Sequence, residues 1–133
     1  MTEKLLDIRD NVVTVDAGES SNIVVQFTDN GVAIIKNNLA SLKVTLFDKV
    51  TSTLINARNL QDVLDANDGV VAADGTLTLR LGPSDNIIVG TDLPDEFLED
   101  HIARFTWTWN DGVATRTGQE EVAFDVRKLA TPV

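Results

Sequence analysis

Read in steps of two, residues 101–109 (HIARFTWTW) set Ala103, Phe105, Trp107 and Trp109 on one side and Ile102, Arg104, Thr106 and Thr108 on the other. Such alternation of bulky apolar with polar side chains is what a strand with one buried face requires. Both tryptophans and one of the five phenylalanines lie here, so this stretch predicts the centre of the core. Asn110-Asp111-Gly112 follows at once and predicts a hairpin reversal. A second alternating run, residues 121–129, returns with Val122, Phe124 and Val126 on one face.

The same period recurs upstream. Val12, Val13 and Val15 form a short β-branched run before the turn-rich residues 16–21. Residues 22–27 alternate with Ile23, Val25 and Phe27 on one face, and residues 32–35 are apolar. Leu42, Val44 and Leu46 oppose Lys43, Thr45 and Phe47, and residues 51–55 make a shorter strand. Residues 76–81 alternate most cleanly, with Leu77, Leu79 and Leu81 inward and Thr76, Thr78 and Arg80 outward. Residues 87–89 read as a brief apolar strand and 90–100 as an acidic loop. One helical signal interrupts this pattern at residues 59–65. Asn59 can cap, Asp62 sits in the first turn, and Leu60, Val63 and Leu64 share a face.

Seven to nine short strands with one short helix predict an all-β, antiparallel sandwich, with a small β-barrel as the alternative. No repeat or linker divides the 133 residues. Residues 11–133 are expected to form a single domain, and residues 1–10 an N-terminal arm. Leu5, Leu6 and Ile8 in that arm are apolar but carry no cap or turn signal. Such an arm either packs on a partner or lies along its own domain. Phe47, alone on a polar face, marks a contact surface if other apolar side chains join it. Trp109, at a strand end beside the hairpin turn, is the tryptophan best placed to meet a partner.

Charge narrows the choice of partner. Eleven basic against 21 acidic residues give a net charge of −10. That surface repels nucleic acid and anionic lipid. It reads as a solubility device or as the complement of a basic or metal-bridged protein partner. There is no cysteine, so disulfides and thiolate metal sites are excluded. The charged opening MTEKLLDIRD lacks the apolar segment of a signal peptide, and no apolar run reaches the ~20 residues of a membrane span. Synthesis in the cytosol is expected.

Candidate chemistry is sparse. His101 is the only histidine and, at the start of the central strand, reads as a structural hydrogen-bonder. No P-loop, GxSxG or GxGxxG is present. Asp62, Asp65, Asn67 and Asp68 form one oxygen-rich group; Asp92, Asp95, Glu96, Glu99 and Asp100 form another. An EF-hand alignment on Gly69 puts Leu64 and Ala66 at ligand positions, so that motif fails, and the two groups read as solvated acidic loops with a cation site as the alternative. No catalytic, cofactor or metal site is expected, and the chain reads as a non-enzyme.

Four stretches carry a resemblance. These are ADGTLTLRL (residues 73–81), an acidic loop containing LPDE (93–96), the strand ending in WTW, and EEVAFDVRKL (120–129). Over residues 40–129 the order of elements resembles immunoglobulin-like sandwiches of tailed-bacteriophage virion proteins. Unlike antibody domains, the chain has no cysteine pair and no tyrosine for a tyrosine corner, and its tryptophans lie on the penultimate strand. The resemblance implies a multi-copy or homo-oligomeric structural component of the virion. It would be a capsid decoration or head–tail protein that contacts other virion proteins. Leu5, Leu6, Ile8, Phe47 and Trp109 are the candidate partner-binding residues. The alternative is a carbohydrate- or cell-surface-binding sandwich module.

Overall fold

The computed structural model describes residues 6–9, as backbone, and residues 14–130. In chain order the strands are β1 (Leu6–Arg9), β2 (Thr14–Asp16), β3 (Ser21–Asp29), β4 (Val32–Ala33), β5 (Leu39–Asp48), β6 (Gln61–Asp62), β7 (Gly69–Val71), β8 (Thr76–Leu81), β9 (Leu98–Asn110) and β10 (Thr115–Arg127). They form two sheets. One has the order β1-β3-β8-β7, with β4 also paired to β3, and the other β2-β10-β9-β5-β6. The sheets stay separate, which makes a sandwich and rules out the barrel. Among the described residues all pairings are antiparallel except that of β2 with β10.

The two longest strands carry the core, as the alternation predicts. β9 and β10 pair over their whole length, from Asn110 with Thr115 to Leu98 with Arg127. Phe105, Trp107 and Trp109 point inward from β9, and Ile23, Val25 and Phe27 meet them from β3. Phe27 lies with ring centroids 4.5 Å from Trp107 and 6.2 Å from Phe105, and the two tryptophan rings stack at 6.4 Å. Leu77, Leu79 and Leu81 are buried from β8 while Arg80 is exposed. The expected hairpin turn is present. Asn110 Oδ1 accepts the Gly112 amide at 2.8 Å, and Asp111 Oδ1 accepts those of Val113 and Ala114 at 2.9 Å.

The expected helix at residues 59–65 is absent. Among the described residues the one helical segment is a 3-10 turn at Lys36–Asn38. Leu60 and Asp65 have φ of 47° and 54°, which no right-handed helix accommodates. Leu60 is 55% exposed while Val63 is fully buried, so the apolar face implied by their spacing is never assembled. Two tertiary interactions override the local preference. Val63 donates its amide to the Leu42 carbonyl, placing β6 against β5, and Arg58 turns inward.

Other boundaries differ as well, and Leu98–Asp100, expected within the acidic loop, open β9. β10 begins at Thr115 rather than near residue 121, because pairing with β9 extends a stretch whose own sequence is polar. Residues 51–55 contribute a single bridge, Phe47 with Leu54. Residues 87–89 form no strand, and the Val89 amide is held instead by the side chain of Glu99.

Candidate functional site

Two positions before Ala103 on β9 lies His101, and two before that Glu99, so both share the inward face of that strand. On β5, Asp48 sits directly opposite His101. The three side chains therefore converge near the end of the sandwich where β5 stops and β9 starts. One donor atom from each lies within 4.8 Å of the others. All three residues are buried, with 3%, 5% and 0% exposure for Asp48, Glu99 and His101.

Each group has a local task. Glu99 Oε1 accepts the Val89 amide at 2.7 Å and faces His101 Nε2 at 2.6 Å, while Oε2 accepts the Gly90 amide at 2.9 Å. Glu99 thus pins the connection between β8 and β9. Asp48 Oδ2 accepts the Thr51 amide at 2.9 Å and its hydroxyl at 2.7 Å, fixing the turn after β5. His101 stands edge-to-face with Phe124, centroids 5.7 Å apart, and its Nδ1 is buried without a partner. Among the described residues no lysine or arginine pairs with either carboxylate. Two like charges at such a separation repel by about 3 kcal/mol at an effective dielectric of 20. Both carboxylates line a hollow of about 170 Å³ rimmed by Val50, Leu93, Phe97 and Leu98.

At the opposite end lies a cleft of about 490 Å³. Its lining includes Asp29, Ile34, Asn38, Trp109, Asn110 and Asp111. Trp109 donates its indole N–H to Asp29 Oδ2 at 3.1 Å, and the Arg116 guanidinium lies 6.0 Å from its ring centre. The backbone amides of Ala114 and Val113, followed by the charge of Arg116, hold the Asp111 carboxyl below its ordinary range. Trp109 itself is only 3% exposed.

The five candidate partner-binding residues are not brought together. Trp109 lies inside the sandwich at the end where β5 begins, paired with Leu39. Phe47 is half-buried near the other end of β5, with the Arg104 guanidinium 4.9 Å from its ring centre. Arg104 in turn bonds Glu121 at 2.8 Å. Leu6 and Ile8 belong to β1, at the edge of the other sheet, opposite Phe27 and Val25 of β3. Leu5 lies outside the described residues.

The oxygen-rich group at residues 62–68 is tied into the fold. Asp65 pairs with Lys36 and accepts the Val71 amide, Asp62 accepts the Leu64 amide, and Asp68 pairs with Arg58. Arg58 is a residue the sequence gives no reason to single out. It is 3% exposed and reaches Asp85 through Nε at 2.6 Å and Nη2 at 3.1 Å. Its Nη1 bonds Gln61 at 2.7 Å and the Asn67 carbonyl at 3.0 Å. Burial pushes the Asp85 carboxyl up. The bonds from Arg58, Asn56 and the Gly82 amide outweigh that and leave it below the usual carboxylate range.

No family model and no curated protein matches the chain.

Proposed function

We propose that this chain is a non-enzymatic structural protein of a tailed-phage particle, acting as a capsid decoration or head–tail component that docks through its surface. One observation carries the non-catalytic part of the reading: the groups with chemical potential are buried, and the carboxylates among them hold the fold's own turns and loops. His101 is fully enclosed, Glu99 holds a loop, and Asp85 is spent on Arg58. The virion assignment rests on the resemblance of residues 40–129. The exterior offers contact area instead of chemistry. Val50 is 84% exposed beside Phe97 and Leu98, under a strongly acidic overall charge. Partners would be other virion proteins, met in many copies.

The carbohydrate-binding alternative draws less support from the same structure. A sugar platform needs an open aromatic face, yet Trp109 is enclosed and Phe47 has Arg104 against its ring.

Quantitative mass spectrometry of purified phage particles tests the proposal. Multi-copy presence in the head or tail fraction is expected. Absence from particles, together with a strictly monomeric purified chain, would overturn it.

A further inference from the structure

We propose that Asp48, Glu99 and His101 bind one divalent transition ion of the Zn²⁺ or Mn²⁺ class. The donor set is the first reason. Two carboxylates and an imidazole, supplied by adjacent strands in fixed register, lie within 4.8 Å of one another. That is a common protein contribution to a site whose remaining positions are filled by water.

Charge is the second. Both carboxylates are at least nine-tenths buried, and among the described residues neither is paired with a lysine or arginine side chain. Backbone amides and the Thr51 hydroxyl solvate them without neutralising them, and a bound cation would do so.

The third reason is the unfilled capacity of His101. The ring is fully buried and only one of its nitrogens has a partner. Nε2 is the nitrogen that faces Glu99, so it is the donor toward the ion, with the ring proton carried on Nδ1. The hollow over Asp48 and Glu99 provides the remaining requirement, a route in and space for water ligands. Its apolar rim of Val50, Leu93, Phe97 and Leu98 shields the ion from bulk solvent. The imidazole selects against Ca²⁺ and Mg²⁺, which prefer an all-oxygen shell.

The chain's single histidine makes the test specific. The full chain, stripped with chelator, is titrated with Mn²⁺ or Zn²⁺ while the imidazole resonances of His101 are followed by NMR. Sub-stoichiometric Mn²⁺ should broaden those resonances selectively, and calorimetry with Zn²⁺ should give one site per chain. Asp48→Asn and Glu99→Gln should each weaken binding at least about tenfold, the loss of roughly 1.4 kcal/mol. Should Glu99→Gln fail to fold, Asp48→Asn supplies the comparison, because the amide oxygen it introduces can still accept from Thr51. His101 signals indifferent to ion up to about 1 mM, or binding undiminished in the variants, would overturn the site. Equal affinity for Ca²⁺ would overturn the assignment to a transition ion.

Discussion

Gly118 faces Trp107 across the β9–β10 ladder, and the indole occupies the space a side chain would need. A Cβ at Gly118 would lie 2.6 Å from two carbons of that ring. Gly118→Ala should therefore cost about 1–3 kcal/mol, as overpacking of a tight core does. Trp107→Ala should cost about 3–5 kcal/mol through the cavity it leaves, and Arg80→Ala less than about 0.5 kcal/mol because its side chain is exposed. Urea denaturation of the three variants checks the order. Equal losses in Trp107→Ala and Arg80→Ala would contradict the facing of β8 and β9. The alternation alone places Trp107 inward and Arg80 outward. It does not reveal Gly118 as the partner of Trp107, because a glycine has no side chain to mark a face and its neighbours Thr117 and Gln119 are polar. His101 and Glu99 are a similar case. The period of two carries back to them from Ala103, but their partner Asp48 comes from a strand more than fifty positions away and only the register brings it close.

The segment between β5 and β7 shows how a tertiary contact overrides local pattern. Asn59, Asp62 and the spacing of Leu60, Val63 and Leu64 all favour a helical turn, and each signal is local. The competing interaction is not, since Asp85 lies 27 residues beyond Arg58. The guanidinium ties the crossover from one sheet to the other onto the turn after β8, where Asp85 also accepts the Gly82 amide at 2.9 Å. Arg58→Ala should destabilise by about 3–5 kcal/mol, because it leaves the Asp85 carboxylate buried and unpaired. Arg58→Ala with Asp85→Ala should recover part of that loss, and a double-mutant cycle by thermal or urea unfolding measures the coupling. Strict additivity would mean that the pair does not hold the crossover. Long strands with a strong period were legible in the sequence. Short pairings such as β6 and β7 were not, because their positions depend on contacts made elsewhere.

For the molecule as a whole, acid titration should show two opposing contributions. Asp85 is held below the ordinary carboxylate range, so its stabilising contribution is present above that range and is lost as pH falls through the lowered value. Asp125 behaves oppositely. Hydrogen bonding with Asp100, which faces it across β9 and β10, then burial and the charge of Asp100, raise its pKa. That group favours the fold when protonated, and the benefit disappears as pH rises through the raised value. Asp125→Asn should therefore raise the melting temperature at neutral pH and change it less in acid. Melting curves over about pH 3–8 check both signs, and a lower melting temperature for Asp125→Asn at pH 7 would contradict the raised pKa of Asp125. The parallel pairing of β2 with β10 bears on a different property, the order in which the fold can be completed. Asp16 and Arg127, joined by a 2.6 Å hydrogen bond at that seam, are separated by 111 positions. During translation Thr14–Asp16 must wait, without its ladder partner, until β10 has been made 111 positions later. Closing so distant a contact late is entropically slow, which places assembly on the millisecond-to-second scale and makes the newborn chain most vulnerable to aggregation just before the final strand arrives.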